Sequence, residues 1–144
     1  MKIKEIMSTD VECLTQDAVL VDAAEKMRES DIGSIPVCLG EKVIGMITDR
    51  DITVRAAAQS KDFRKTTVGE IMSKDVAFCF EDQDVSEAEK LMEEREVRRL
   101  VVLNRDRKLV GVVSLGDLSG VDDKMAGRVV GRVTEPLHAQ HGRP

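Results

Sequence analysis

The strongest constraint on this chain is that it is written twice. Glu5-Ile6-Met7-Ser8 returns as Glu70-Ile71-Met72-Ser73, an offset of 65 residues. Asp10-Val11 returns as Asp75-Val76, Asp17 as Asp82, and Ala23, Met27 and Glu29 as Ala88, Met92 and Glu94. Between 5–38 and 70–103, 11 of 34 aligned pairs are identical, so an internal duplication is the simplest account. One residue is added in the second copy near Arg105-Asp106. Beyond it Gly45 matches Gly111, Thr48 matches Ser114, and Asp51 matches Asp117. Residues 1–64 and 65–120 each carry 9 basic and 12 acidic side chains, whereas 121–144 carry 4 and 3, so charge divides the chain at the same places. The expected organisation is two repeats, 1–64 and 65–120, followed by a C-terminal tail, 121–144.

Each copy reads as β-α-β-β-α. A short strand (11–14 or 76–80) precedes a helix whose apolar positions fall at helical spacing: Leu20, Ala23, Ala24 and Met27, or Val85, Ala88, Leu91 and Met92. Asp84 and Glu87 are expected to act as N-cap and box partner of the second of these helices. Two aliphatic, β-branched strands follow, 35–39 and 43–47 in the first copy, 100–103 and 109–113 in the second. A second helix starts near Thr48 or Ser114, and Gly120 cuts it short in the second copy. The fold class is therefore α+β (mixed α/β). A copy of about 60 residues is marginal alone, so the two copies are expected to pack on each other.

Composition narrows the function. Of 144 residues 2% are aromatic, namely Phe63, Phe78 and Phe80, so the core must be aliphatic. A formal net charge of −5 and scarce stacking side chains argue against a nucleic-acid binder. No apolar run reaches the roughly 20 residues of a membrane span, and residues 1–5 do not resemble a secretion signal. A cytoplasmic protein without a membrane partner is expected. His138 and His141 both lie in the last seven residues, so no Ser-His or Cys-His pair is available upstream. The chain is read as non-enzymatic and without a metal site.

The most specific local feature occurs in both copies. Gly45-Met46-Ile47-Thr48-Asp49-Arg50-Asp51 and Gly111-Val112-Val113-Ser114-Leu115-Gly116-Asp117 each run a glycine-bearing strand into a hydroxyl residue, with a carboxylate three positions later. One reading is a helix capping box. The other uses the same geometry for a ligand: free N–H groups and a hydroxyl for a phosphate, a carboxylate for a ribose diol, and Arg50 for charge. The strand glycine allows another group to approach the backbone closely.

With these residues in view the chain resembles tandem cystathionine-β-synthase-type (CBS) domains. The resemblance is carried by Ile6-Met7-Ser8 with Asp10-Val11, Ile32-Gly33-Ser34-Ile35-Pro36-Val37 and 45–51. In the second copy it is carried by Ile71-Met72-Ser73 with Asp75-Val76, Val97-Arg98-Arg99-Leu100-Val101-Val102 and 111–117. It covers about residues 3–120 with no catalytic domain attached. It implies two repeats packed as a pseudo-twofold CBS-domain pair, with clefts between them for adenosine compounds: AMP, ADP, ATP or S-adenosylmethionine. Such modules commonly form homodimers, and a protein effector of unknown identity would read the bound state. By motif, Thr48 and Ser114 would contact phosphate, and Asp51 and Asp117 the ribose. Ile32, Ser34, Ile35 and Pro36, with Val97, Arg98, Arg99 and Leu100, would line the adenine. Segments 10–12 and 75–77 would complete each cleft. The second copy departs from the pattern, with Val101 for Pro36 and Leu115-Gly116 for Asp49-Arg50, but it brings Arg98 and Arg99 in place of Gly33 and Ser34.

The chain has three cysteines, Cys13, Cys38 and Cys79, and none forms a CxxC. Two readings stand side by side: three buried thiols acting as small hydrophobes, or a Cys13–Cys38 bridge between neighbouring strands. Residues 121–133 are read as a tail helix. Two functions compete: a regulatory module binding an adenosine-containing ligand, and a ligand-free, stress-related interaction protein stabilised by a disulfide.

Overall fold

The structure is a computed structural model, and its described residues are 1–121. The expected tail helix over 121–133, except for Val121, and both histidines lie outside them. In chain order the elements are a 3-10 turn Ile3–Glu5, α1 (Leu20–Ser30), β1 (Ser34–Leu39), β2 (Lys42–Thr48), α2 (Asp49–Asp51), α3 (Val68–Ile71), β3 (Phe78–Phe80), α4 (Val85–Arg95), β4 (Arg99–Leu103), β5 (Leu109–Ser114) and α5 (Leu115–Ser119). No helix among the described residues is long and apolar enough to cross a membrane.

The compact units do not coincide with the sequence repeats. One unit is Glu12–Val76, and the other joins Met1–Val11 to the residues from Ala77 on. The backbone thus crosses between Val11 and Glu12 and returns between Val76 and Ala77. Burial shows why. Ile3 is fully buried in a core with Val85, Ala88, Met92, Leu100, Val102, Val113 and Leu118, all from the second repeat. Val68, Ile71 and Met72 lie in a core with Leu20, Ala23, Ile35, Val37 and Ile47, all from the first. Each repeat's opening segment therefore serves the other repeat's core.

In the first unit, β1 and β2 pair antiparallel with a register shift at Val37/Cys38. The strand expected over 11–14 is reduced to one parallel bridge, Leu14 to Val37. In the second unit the counterpart is a true strand: β3 pairs parallel with β4, and β4 antiparallel with β5. Phenylalanine favours a half-covered strand surface, and Phe78 and Phe80 meet edge-on with ring centroids 5.6 Å apart. Cys13 and Leu14 offer no such pair. Both cores lack aromatic residues, as composition required.

The two long helices end alike. Asp31 and Glu96 adopt left-handed φ of 53°, and their backbone N–H groups close on the carbonyls of Met27 and Met92, the methionines shared by both repeats. At the start of α4 Asp84 is the N-cap, as expected, but its partner is Ser86 rather than Glu87. Its carboxylate accepts from the Ser86 N–H at 3.1 Å and the Ser86 hydroxyl at 2.8 Å. The helix after β2 departs from simple periodicity. It widens from α2 into a π turn over Ile52–Ala56 and tightens into a 3-10 turn over Ala57–Gln59. The run Ile52-Thr53-Val54 is β-branched, a class whose stiff χ1 slightly lowers helix propensity.

The strand glycines are explained by the exchanged segments. Ser8 forms a two-way backbone pair with Val112, each bond 2.9 Å, and Ser73 forms the same pair with Met46 at 2.8 and 2.9 Å. A Cβ on Gly111 would stand 2.7 Å from the Ser8 carbonyl oxygen, and one on Gly45 would stand 3.0 Å from that of Ser73. The groups that come close are the exchanged segment's own backbone and its methionine, Met7 Sδ at 2.8 Å from a Cβ on Gly111 and Met72 Sδ at 2.5 Å from one on Gly45.

Two outcomes are expected. Gly111→Ala loses roughly 1–3 kcal/mol of stability through overpacking against rigid backbone. Gly116→Ala meets nothing nearer than 3.6 Å and is neutral or stabilising by up to about 1 kcal/mol. Urea unfolding of both variants checks this. Hydrogen bonds from the Ser86 hydroxyl and N–H hold the Asp84 carboxyl down at about 2. A depressed carboxyl stabilises above its unfolded value near 4, so this cap's contribution is lost as pH falls from about 4 through 2. Thermal melts of wild type and Asp84→Asn should converge across that interval.

Candidate functional site

Each repeat builds one strand-to-helix junction. At the first, β1 and β2 place Ser34 directly opposite Thr48, and the Asp49 N–H donates to the Gly33 carbonyl at 3.0 Å. At the second, Arg99 lies opposite Ser114, and the Leu115 N–H donates to the Arg98 carbonyl at 2.8 Å. The 32–36 and 97–100 segments are thus brought beside the hydroxyl-to-carboxylate motifs by sheet pairing, each inside its own unit.

The motif residues form capping boxes at both places. The Asp51 N–H donates to Thr48 Oγ1 at 3.0 Å, and the Thr48 N–H donates to Asp51 Oδ2 at 3.0 Å. The Asp117 N–H donates to Ser114 Oγ at 3.1 Å, and the Ser114 N–H donates to Asp117 Oδ2 at 2.8 Å. Each box consumes one carboxylate oxygen and one hydroxyl lone pair. Oδ1 of each aspartate takes no hydrogen bond among the described residues, and each hydroxyl keeps its proton for donation. All four side chains are half-buried. The capping reading is therefore realised in full, and each junction retains one acceptor and one donor.

The other residues divide. Ile35 is 0% and Leu100 1% exposed, both inside the cores, so a ligand at either would meet backbone. Pro36 is buried, and Ile32 and Val97 pack half-buried on the core edges. Ser34 and Arg99 are half-exposed, and Arg50 is exposed. Arg99 makes no side-chain hydrogen bond or ion pair among the described residues, whereas Arg98 is engaged. One contributor escaped the motif reading. Arg55 Nη1 donates to the Met72 carbonyl at 3.3 Å, tying the helix after β2 to the exchanged segment. Its position one turn beyond Asp51 is the only sequence signal for it.

Cys13 and Cys38 are free thiols whose sulfurs lie 3.3 Å apart. Burial pushes the Cys38 thiol up to about 12, with the hydrogen bond and charge of Cys13 adding to it. Cys79 is pushed up to about 12 by burial alone. Among the described residues no group of three His, Cys, Asp or Glu is placed to hold a metal ion.

Thr48→Ala and Ser114→Ala each remove the side-chain half of a capping box. Each is expected to cost about 1 kcal/mol, read as a lower urea midpoint at unchanged slope.

Comparison with known proteins gives a consistent answer. The CBS domain profile matches residues 3–57 and 68–124. The chain is 35% identical over 117 residues to the CBS domain-containing protein YhcV of Bacillus subtilis, covering 81% of this chain and 82% of that one. It is similar in structure to Hypoxic Response Protein I, solved with two coordinated zinc ions, at 32% identity and a TM-score of 0.77, covering 85% of this chain and 99% of that one. It is also similar to the CBS domain pair of protein MJ0100 in complex with 5′-methylthioadenosine and S-adenosyl-L-methionine, at 27% identity and a TM-score of 0.71, covering 84% and 94%. Two profile matches, one per repeat, and glycine-bearing strands that run into capped helices in both copies make this chain a member of the CBS-domain family, with a tandem pair of repeats.

Proposed function

We propose that the protein is a regulatory module that binds an adenosine-containing ligand at the junctions Thr48–Asp51 and Ser114–Asp117 and passes the bound state to a protein effector, most simply as a homodimer in the cytoplasm. The observation that carries this reading is the doubled junction. Each has a half-buried aspartate with one unused oxygen, beside a hydroxyl with an unused proton. A ribose diol donates to carboxylates, and a phosphate or carboxylate accepts from hydroxyls, so adenosine compounds suit the pair. The MJ0100 pair, which holds 5′-methylthioadenosine and S-adenosyl-L-methionine, supports that ligand class.

The cationic groups differ between the junctions. Arg50 flanks the first, and Arg99 stands across the ladder from Ser114 in the second. A phosphate-bearing ligand finds a guanidinium without a carboxylate partner among the described residues at either junction, exposed at Arg50 and half-exposed at Arg99. No catalytic role is assigned: among residues 1–137 there is no histidine to act as a base.

A second reading is a ligand-free interaction protein. It is favoured by the capping boxes, which already satisfy one oxygen of each aspartate without a ligand.

Thermal melting with AMP, ADP, ATP, S-adenosylmethionine and 5′-methylthioadenosine separates the two. A ligand at 100 times its Kd should add about 2.7 kcal/mol of stability. Asp51→Asn and Asp117→Asn keep an acceptor for the cap but turn the spare oxygen into a donor, so each should abolish the shift from its own junction while leaving the unliganded melt nearly unchanged. No shift with any of the five compounds at millimolar concentration sinks the ligand reading in favour of the second.

A further inference from the structure

Cys13 and Cys38 meet across one short ladder. The Leu14 N–H donates to the Pro36 carbonyl at 3.0 Å, and the Cys38 N–H donates to the Leu14 carbonyl at 2.8 Å. These bonds and the irregularity at Val37/Cys38 set the two sulfurs 3.3 Å apart, Cys13 exposed and Cys38 6% exposed. The second repeat is an internal control. There the bridge Leu14–Val37 is replaced by the pair Cys79–Val102, which puts Phe78 and Leu103 at the places of Cys13 and Cys38. The fold is therefore built equally well without sulfur at either position. Cys79 serves packing instead, 3% exposed and making only a 3.8 Å contact to the Val101 carbonyl.

We propose that Cys13 and Cys38 are a redox-reactive thiol pair that a hydroperoxide converts into a disulfide, fastening the chain's point of arrival in the Glu12–Val76 unit to strand β1. Exposure makes Cys13 the peroxide-facing sulfur. Its thiolate attacks a peroxide oxygen, the O–O bond breaks, and the leaving hydroxide takes up a proton to become water. Cys13 is left as a sulfenic acid. The Cys38 sulfur then attacks the Cys13 sulfur: the S–S bond forms, the S–O bond breaks, and hydroxide leaves with the Cys38 proton as a second water. Two thiols and hydrogen peroxide become one disulfide and two waters. The sulfurs give up two electrons and the peroxide accepts them. Burial does most to hold the Cys38 proton; the hydrogen bond and charge of Cys13 add to it, and these two change once Cys13 is oxidised. The sulfurs must close from 3.3 Å to about 2.05 Å, within reach of side-chain rotation. Glu12 and Val11 lead directly into Cys13, so the bond restrains the segment through which the backbone crosses between units.

The test uses the full chain, reduced and then treated with a few equivalents of hydrogen peroxide. Free thiols are alkylated in denaturant, and the protein is weighed intact and mapped as peptides. The proposal expects the loss of two hydrogens, one alkylated thiol at Cys79, and a linked Cys13–Cys38 peptide. The melting temperature should rise by about 5–10 °C and fall back with dithiothreitol. Cys13→Ser, a surface change, should abolish both effects, as should Cys38→Ala. Three alkylated thiols after treatment, a sulfinic acid at Cys13, or a Cys13–Cys13 link between two chains would each overturn it. No nucleotide enters the measurement, so its failure leaves the ligand reading standing.

Discussion

The fold depends on a two-way backbone hydrogen-bond pair made twice, Ser8 with Val112 and Ser73 with Met46. Each pair adds an edge segment to a β-strand beside a glycine: a Cβ on Gly111 would press on the Ser8 carbonyl, and one on Gly45 would meet the Met72 side chain and the Ser73 carbonyl. The bonded segment is the repeated Glu-Ile-Met-Ser run, and each copy of that run lies on the sheet of the other repeat. Neither sequence repeat is therefore complete in itself. A chain of about 60 residues buries too little surface to be secure, and an uncovered strand edge invites wrong pairing. Exchange of the opening segments answers both difficulties within one chain. It brings Ile3 into one core and Val68, Ile71 and Met72 into the other, and covers the strand that leads to each junction.

The junction chemistry follows from the same strands. β2 and β5 end at Thr48 and Ser114, where the backbone is extended, and the helix turns that follow are capped by those residues. Strand pairing then fixes which group stands across from each hydroxyl: Ser34 in one case, Arg99 in the other. The two junctions share a capping frame and differ in charge, so duplication preserved the scaffold while the side chains around it diverged. The cysteines show the same divergence: a thiol pair in one repeat stands where the other has Phe78 and Leu103.

Much of this was legible from residue order. The apolar spacing of Leu20, Ala23 and Met27 and of Val85, Ala88 and Met92 locates α1 and α4, and aliphatic runs locate β1, β2, β4 and β5. What escaped did so for physical reasons. The first strand of the first repeat shrinks to one bridge because a parallel pair needs a partner on its covered face, which local propensity does not report. The helix after β2 relaxes into π and 3-10 turns where β-branched crowding outweighs periodicity. The Asp84 carboxylate takes the Ser86 N–H and hydroxyl on one oxygen and the Met1 ammonium on the other, and the last of these partners is set by tertiary structure rather than by spacing. Ile35 and Leu100, which the resemblance places along the adenine, are buried in the cores, so they would line it through their backbone.

By itself the sequence determined the duplication, the order of elements in each copy, the aliphatic cores, and the hydroxyl-to-carboxylate motif where strand meets helix. The duplication shows as residue identity at a fixed offset, and the rest is carried by composition and local spacing, which operate over a few residues. Only the tertiary structure decided that the Met-Ser segments exchange between repeats, that Gly45 and Gly111 exist to admit them, that Arg99 stands opposite Ser114, and that Cys13 reaches Cys38. Each of those facts joins residues 15 to more than 100 positions apart. Such contacts are set by backbone hydrogen bonding and close packing across the sheets, not by any preference that the residues hold alone.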